Sequence, residues 1–146
     1  MESIIVFCLA GEWWGMRTFF FKKIIMQLPI HKLPHKKGKL LLGIVNIEGK
    51  LEICISLNEL LGIGSFLKRQ DPAARMIVMA HESLLWVSPV DRVEGIYLIN
   101  TKLLQNVPST ILNTTSNFLD GILLHNDKSI GIINEIGVFD SLKKGF

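Results

Sequence analysis

Long hydrophobic runs are absent from this chain of 146 residues. The longest, such as Ile4–Ala10, fall far short of the roughly 18–20 apolar residues a membrane-spanning helix needs. Membrane insertion is therefore not expected. Charge is scarce too, at 20% of residues with a net charge of only +3, but 49% of residues are hydrophobic, which excludes a disordered chain. Cysteine is limited to Cys8 and Cys54, each inside an apolar packet. Both are expected to behave as small buried hydrophobes, not as a disulfide. Met1-Glu2-Ser3 offers no positively charged leader, so a cytoplasmic location is expected.

Clustered chemistry is also missing. Carboxylates are scattered one by one, so no general acid/base pair can be assembled. His31 and His35 are four apart, but Pro34 between them opposes a helix that would present both to a metal. His81 and His125 sit beside turns and are expected to be solvated. Gly62-Ile63-Gly64 begins like a dinucleotide motif, yet Leu67 stands where its third glycine belongs. No catalytic residue, metal or cofactor is assigned, and an enzyme is not expected.

What is present is Leu and Ile, 21 and 19 of them, dealt out in short packets. Ile4–Leu9, Leu40–Ile47, Leu51–Ile55, Met76–Ala80, Leu84–Val90, Gly95–Ile99, Phe118–Leu124 and Ile130–Ile133 are five to eight residues long, or nearly so. Turn chemistry separates them, with hairpins expected at Glu48-Gly49-Lys50 and Asn126–Ser129. Many short strands with regular turns predict an all-β barrel or sandwich. Helices should be few and short: Leu57–Leu61, capped by Ser56 and stopped by Gly62, with further pieces near Phe19–Ile25 and Asn100–Gln105. Pro89 argues for an edge strand or a bulge. Gly64–Asp71 reads as a polar link between two halves, each a group of strands, with no repeat visible in the residues themselves.

Lys32, Lys36, Lys37 and Lys39 crowd one loop with His31 and His35. That cluster could steer a nucleic acid or an acidic protein surface. A nucleic-acid-binding barrel would need exposed aromatics beside the lysines. Trp13, Trp14, Phe19, Phe20 and Phe21 lie far away in sequence and read as core or protein contact.

Several segments, in order, resemble the CheW family of chemotaxis coupling proteins. Leu42-Gly43-Ile44-Val45-Asn46-Ile47-Glu48-Gly49 is similar to the family's Gly-Val-Val-Asn-Leu-Arg-Gly, and Ser56-Leu57-Asn58-Glu59-Leu60-Leu61-Gly62 to its Asp-Leu-Arg-x-x-Leu-Gly. Val90-Asp91-Arg92-Val93-Glu94-Gly95-Ile96 resembles Val-Asp-x-Val-x-x-Val. Phe7–Met16, Leu33-Pro34, Pro108, Phe118–Ile122 and Asp127–Asn134 extend the resemblance over nearly the whole chain. It implies one domain over residues 1–146, made of two intertwined five-stranded SH3-like barrels around a shared hydrophobic core. It implies a non-catalytic adaptor between chemoreceptor cytoplasmic tips and the regulatory domain of a CheA-type histidine kinase. No nucleic acid partner is expected on this reading. The partner-binding residues it implies are Phe21, Ile24, Gly43, Asn46, Glu48, Gly49, Val90 and Val93. The family's Arg falls on Glu48, and its upstream Glu, counted back from Leu33-Pro34, falls on Lys23. A swapped pair, Lys23 with Glu48, is therefore expected, and with it altered receptor binding or service in an alternative chemosensory pathway controlling pili or gene expression.

Overall fold

A computed structural model describes residues 1–34, 38–64, 71–111 and 113–144. Ten strands dominate it: β1 Glu2–Leu9, β2 Glu12–Arg17, β3 Phe21–Met26, β4 Leu41–Ile47, β5 Lys50–Ile55, β6 Arg75–His81, β7 Leu84–Val90, β8 Arg92–Ile99, β9 Leu119–His125 and β10 Lys128–Ile133. Helices are short: α1 Leu57–Leu61, α2 Asn113–Ser116 and α3 Glu135–Lys143. The strands form two five-stranded sheets, β8-β1-β2-β10-β9 and β3-β6-β7-β5-β4. The all-β class and the pair of SH3-like subdomains are as expected, although neither sheet closes by hydrogen bonds between its outer strands.

Side chains fill the gaps instead. Within the first sheet's curl, Ile4, Val6, Leu123, Ile130 and Ile132 form one core, and Tyr97 on β8 meets His125 on β9 with ring centroids 5.1 Å apart. Within the second, Val45, Cys54, Met76, Val78 and Val87 form another. The largest core lies between the sheets and includes Phe7, Trp14, Met16, Leu61, Trp86 and Phe139. Strand alternation explains this division, since successive side chains face opposite sides. On β1, Ile5 and Phe7 face the shared core, whereas Ile4 and Val6 face the interior of their own sheet's curl.

Several sequence expectations change. Phe19–Ile25 is not helical: Phe21–Met26 is a strand, because pairing with β6 satisfies its backbone and Phe21 and Ile25 pack on different cores. Asn100–Gln105 holds only one 3-10 turn, Thr101–Leu103, capped by the Asn100 side chain. Pro89 lies on an inner strand, not an edge. It is tolerated because the β5–β7 pairing ends at Cys54↔Val87, before the missing N–H would be needed. His81 is not fully solvated; its ring packs 5.3 Å from both Phe20 and Phe139. α1 forms as expected, with Ser56 Oγ accepting from Glu59 N and Gly62 left-handed at its end. Most of the expected link, residues 65–70, lies outside the described residues, as do His35, Lys36 and Lys37.

Candidate partner-binding surface

The β4–β5 hairpin turns on Glu48 and Gly49, at φ 52° and 89°. Two successive positive φ values give a turn whose twist matches the strands. Asn46 fastens it, its Oδ1 accepting from Gly49 N at 2.9 Å. The turn points the Glu48 side chain outward, 84% exposed, and Lys23 Nζ of β3 reaches its Oε1 at 3.3 Å. Lys22, Lys50 and Glu52 line the same shallow depression, over a floor of Val78 and Leu85. This end of the second sheet is therefore rich in charge of both signs.

Single exposed apolar groups lie on β5 and β9, Leu51 and Leu124, whereas β3 and β8 each expose two. β3 and β8 are outer strands, each paired on one side only. β3 exposes Ile24 and Met26, the latter 64% exposed; β8 exposes Ile96 and Leu98, the latter 63%. Phe21 and Val93, on the same two strands, lean partly buried against the shared core. On the other two outer strands a single bridge occupies part of the edge, from His31 to Ile44 of β4 and from Gln105 to Ile122 of β9.

The implied site residues thus divide. Lys23, Asn46, Glu48 and Gly49 come together at one end of the second sheet. Phe21, Ile24 and Val93 lie along the open outer strands. Val90 and Gly43 offer no surface: Val90 is 1% exposed in the shared core, and Gly43 is buried under the His31 segment. A Cβ at Gly43, where φ is 149°, would sit 2.3 Å from the His31 carbonyl oxygen, so glycine here is a requirement of close backbone approach. Met26, Ile96 and Leu98 were not legible from apolar packets, because a packet does not reveal which of its residues lies on an edge.

A second charged cluster, around Arg17, ties β2 to β1, β9 and α3. Arg17 is held by Glu2 at 3.0 Å, Asp120 at 2.8 Å and Glu135 at 2.7 Å, and its backbone N–H also donates to Glu135. Burial pushes the Glu135 carboxyl above its ordinary range, with the Arg17 contacts opposing. Burial alone would lower Arg17, but Glu135 and Asp120 outweigh it and raise the guanidinium. Burial also pushes the Cys54 thiol up to about 12 and raises Cys8. Among the described residues no group of three His, Cys, Asp or Glu could hold a metal. Of the lysine cluster, Lys32 and Lys39 are described and exposed; among the aromatics Trp14 and Phe20 are buried, Trp13 and Phe21 are partly buried and Phe19 is exposed. No described helix is long and apolar enough to cross a membrane.

Two five-stranded sheets around a shared core, with two open apolar edges, define an all-β protein of paired SH3-like subdomains. The family model for the CheW-like domain matches residues 3–143, and the chain belongs to that family. Among solved structures it is similar to the scaffolding protein TtCheW from Thermoanaerobacter tengcongensis, with a TM-score of 0.77 and 28% identity. That match covers 90% of this chain and 83% of the other. No curated protein matches the chain.

Proposed function

We propose that the chain couples chemoreceptor cytoplasmic tips to the regulatory domain of a CheA-type histidine kinase in the cytoplasm. It is a non-catalytic scaffold adaptor of chemosensory signalling. The observation that carries the partner reading is the pair of open strands, β3 and β8, which keep Ile24, Met26, Ile96 and Leu98 in contact with water. Exposed apolar groups on strands with one open edge are costly to keep and suit a partner that covers them. A pull-down of the cell's own CheA-type kinases tests this. Capture that is lost with Ile96→Asp supports it, and failure of the folded protein to capture any such kinase contradicts it.

Glu48 favours a second, narrower reading. Its carboxylate is directed outward, and among the described residues Lys23 is the cation paired with it. A surface that matches an exposed Arg with a carboxylate is repelled here, and a basic one is attracted. The chain then serves receptors or kinases of an alternative chemosensory pathway, controlling pili or gene expression. The pair itself adds only about 0–1 kcal/mol, so its effect lies in partner choice. Lys23→Glu combined with Glu48→Arg should leave stability nearly unchanged and exchange the preferred partner. Unchanged partner preference in that double variant rules the narrower reading out.

A further inference from the structure

The strand pairings contain a repeat that the residues conceal. Phe7 pairs with Trp14, and 72 positions later Met79 pairs with Trp86. The same shift carries Ile24 onto Ile96: Ile24 pairs with Ile77, and Ile96 with Ile5. Even the irregularities correspond, one between Phe21 and Lys23 and one opposite Val93 and Gly95. Beyond the lysine loop the shift becomes 78, carrying Gly43 onto Gly121 and the cap Ser56 onto the cap Asn134. Gly43 lies under the His31 carbonyl, and Gly121 under that of Gln105.

The two equivalent units are residues 1–64 and 71–144, and they are interlocked. The first unit gives β1 and β2 to one sheet and β3, β4 and β5 to the other. The second gives β6 and β7 to the latter and β8, β9 and β10 to the former. Among the described residues, pairing inside a unit is confined to the hairpins β1–β2, β4–β5, β6–β7 and β9–β10 and to one isolated bridge apiece. Every other strand pairing, β1–β8, β2–β10, β3–β6 and β5–β7, joins one unit to the other. The shared core likewise draws Phe7, Trp14 and Leu61 from the first and Trp86, Val90 and Phe139 from the second. An isolated two-stranded hairpin is marginal in water, and a lone strand has nothing to pair with.

We infer that the two units fold only as a pair, and that the surface each presents to the other fits a second copy of this chain, which can supply either unit. Exchange leaves every pairing intact, since each sheet needs two strands from one unit and three from the other, whichever chain they come from. The test uses the full chain with a protease recognition sequence between Gly64 and Asp71. After cutting, the two pieces should elute together at the size of the intact chain and keep its strand-rich circular dichroism. The midpoint of thermal unfolding should rise with concentration in the cut protein but not in the uncut one. A piece that elutes alone as a folded monomer, or a midpoint indifferent to concentration after cutting, overturns the inference. In a second arm, two differently tagged full-length copies are unfolded together and refolded at high concentration. A species of twice the mass carrying both tags is expected, lost on refolding at high dilution. Its absence at every concentration overturns the exchange between copies.

Discussion

Arg17 and Glu135 are the residues on which the polar part of the core turns. In the repeat their counterparts are Pro89 and Leu57, so a charge pair that joins the two units on one side has apolar groups in the equivalent places on the other. Removing one partner of a buried pair strands the other charge, and Arg17→Met should cost about 3–5 kcal/mol in denaturant unfolding. Glu135 has its pKa raised by burial, so the folded protein holds that proton at a higher pH than the unfolded chain does. Its contribution to stability should therefore grow as pH falls through the raised value, and be complete below the ordinary carboxylate range. Glu135→Gln should flatten that part of the pH profile; a profile identical to the parent's contradicts the assignment. Cys54, with its thiol pushed up to about 12 and fully buried, should resist thiol reagents at pH 8 until the protein unfolds. Mass spectrometry of labelled native protein checks this.

Among the elements, the hairpins and α1 were legible because their signals are local. Asn126-Asp127 and Glu48-Gly49 each supply two residues at positive φ, and Ser56 and Gly62 bracket one apolar turn. β3 was not legible, because Phe-Phe-Phe-Lys-Lys-Ile-Ile has no clear period of its own and becomes a strand only through β6. α3 also escaped notice: nine residues with one cap, Asn134, carry little signal until Val138 and Phe139 meet the shared core. The covering segments at His31 and Gln105 show the same dependence on distant chain. Gly43→Ala should cost several times more than Gly49→Ala, since only the first drives a Cβ into backbone. Parallel thermal melts would reveal the difference, and equal losses would mean the His31 segment yields freely.

For the molecule as a whole, the all-β class was visible in the spacing of Leu and Ile, and the family in motifs spread over nearly all of the chain. The surface was only half visible. Motif matching led to Phe21, Lys23, Asn46 and Glu48 but also to Val90 and Gly43, which the folded chain hides. It missed Met26, Ile96 and Leu98, whose exposure follows from strand order, a property no single strand encodes. Strand order also explains the Leu and Ile excess. Three apolar layers, one within each sheet's curl and one between them, must be filled from 146 residues, and the open strands β3 and β8 leave some of that apolar surface uncovered. We propose that this uncovered surface is where a kinase regulatory domain attaches. Titration calorimetry of the purified chain with the regulatory domain of its own cell's CheA-type kinase tests this directly. Saturable 1:1 binding, weakened at least tenfold by Ile96→Asp in a variant that keeps the parent's circular dichroism, is the predicted result. Binding undiminished by that substitution, or no binding by the folded parent, would contradict it.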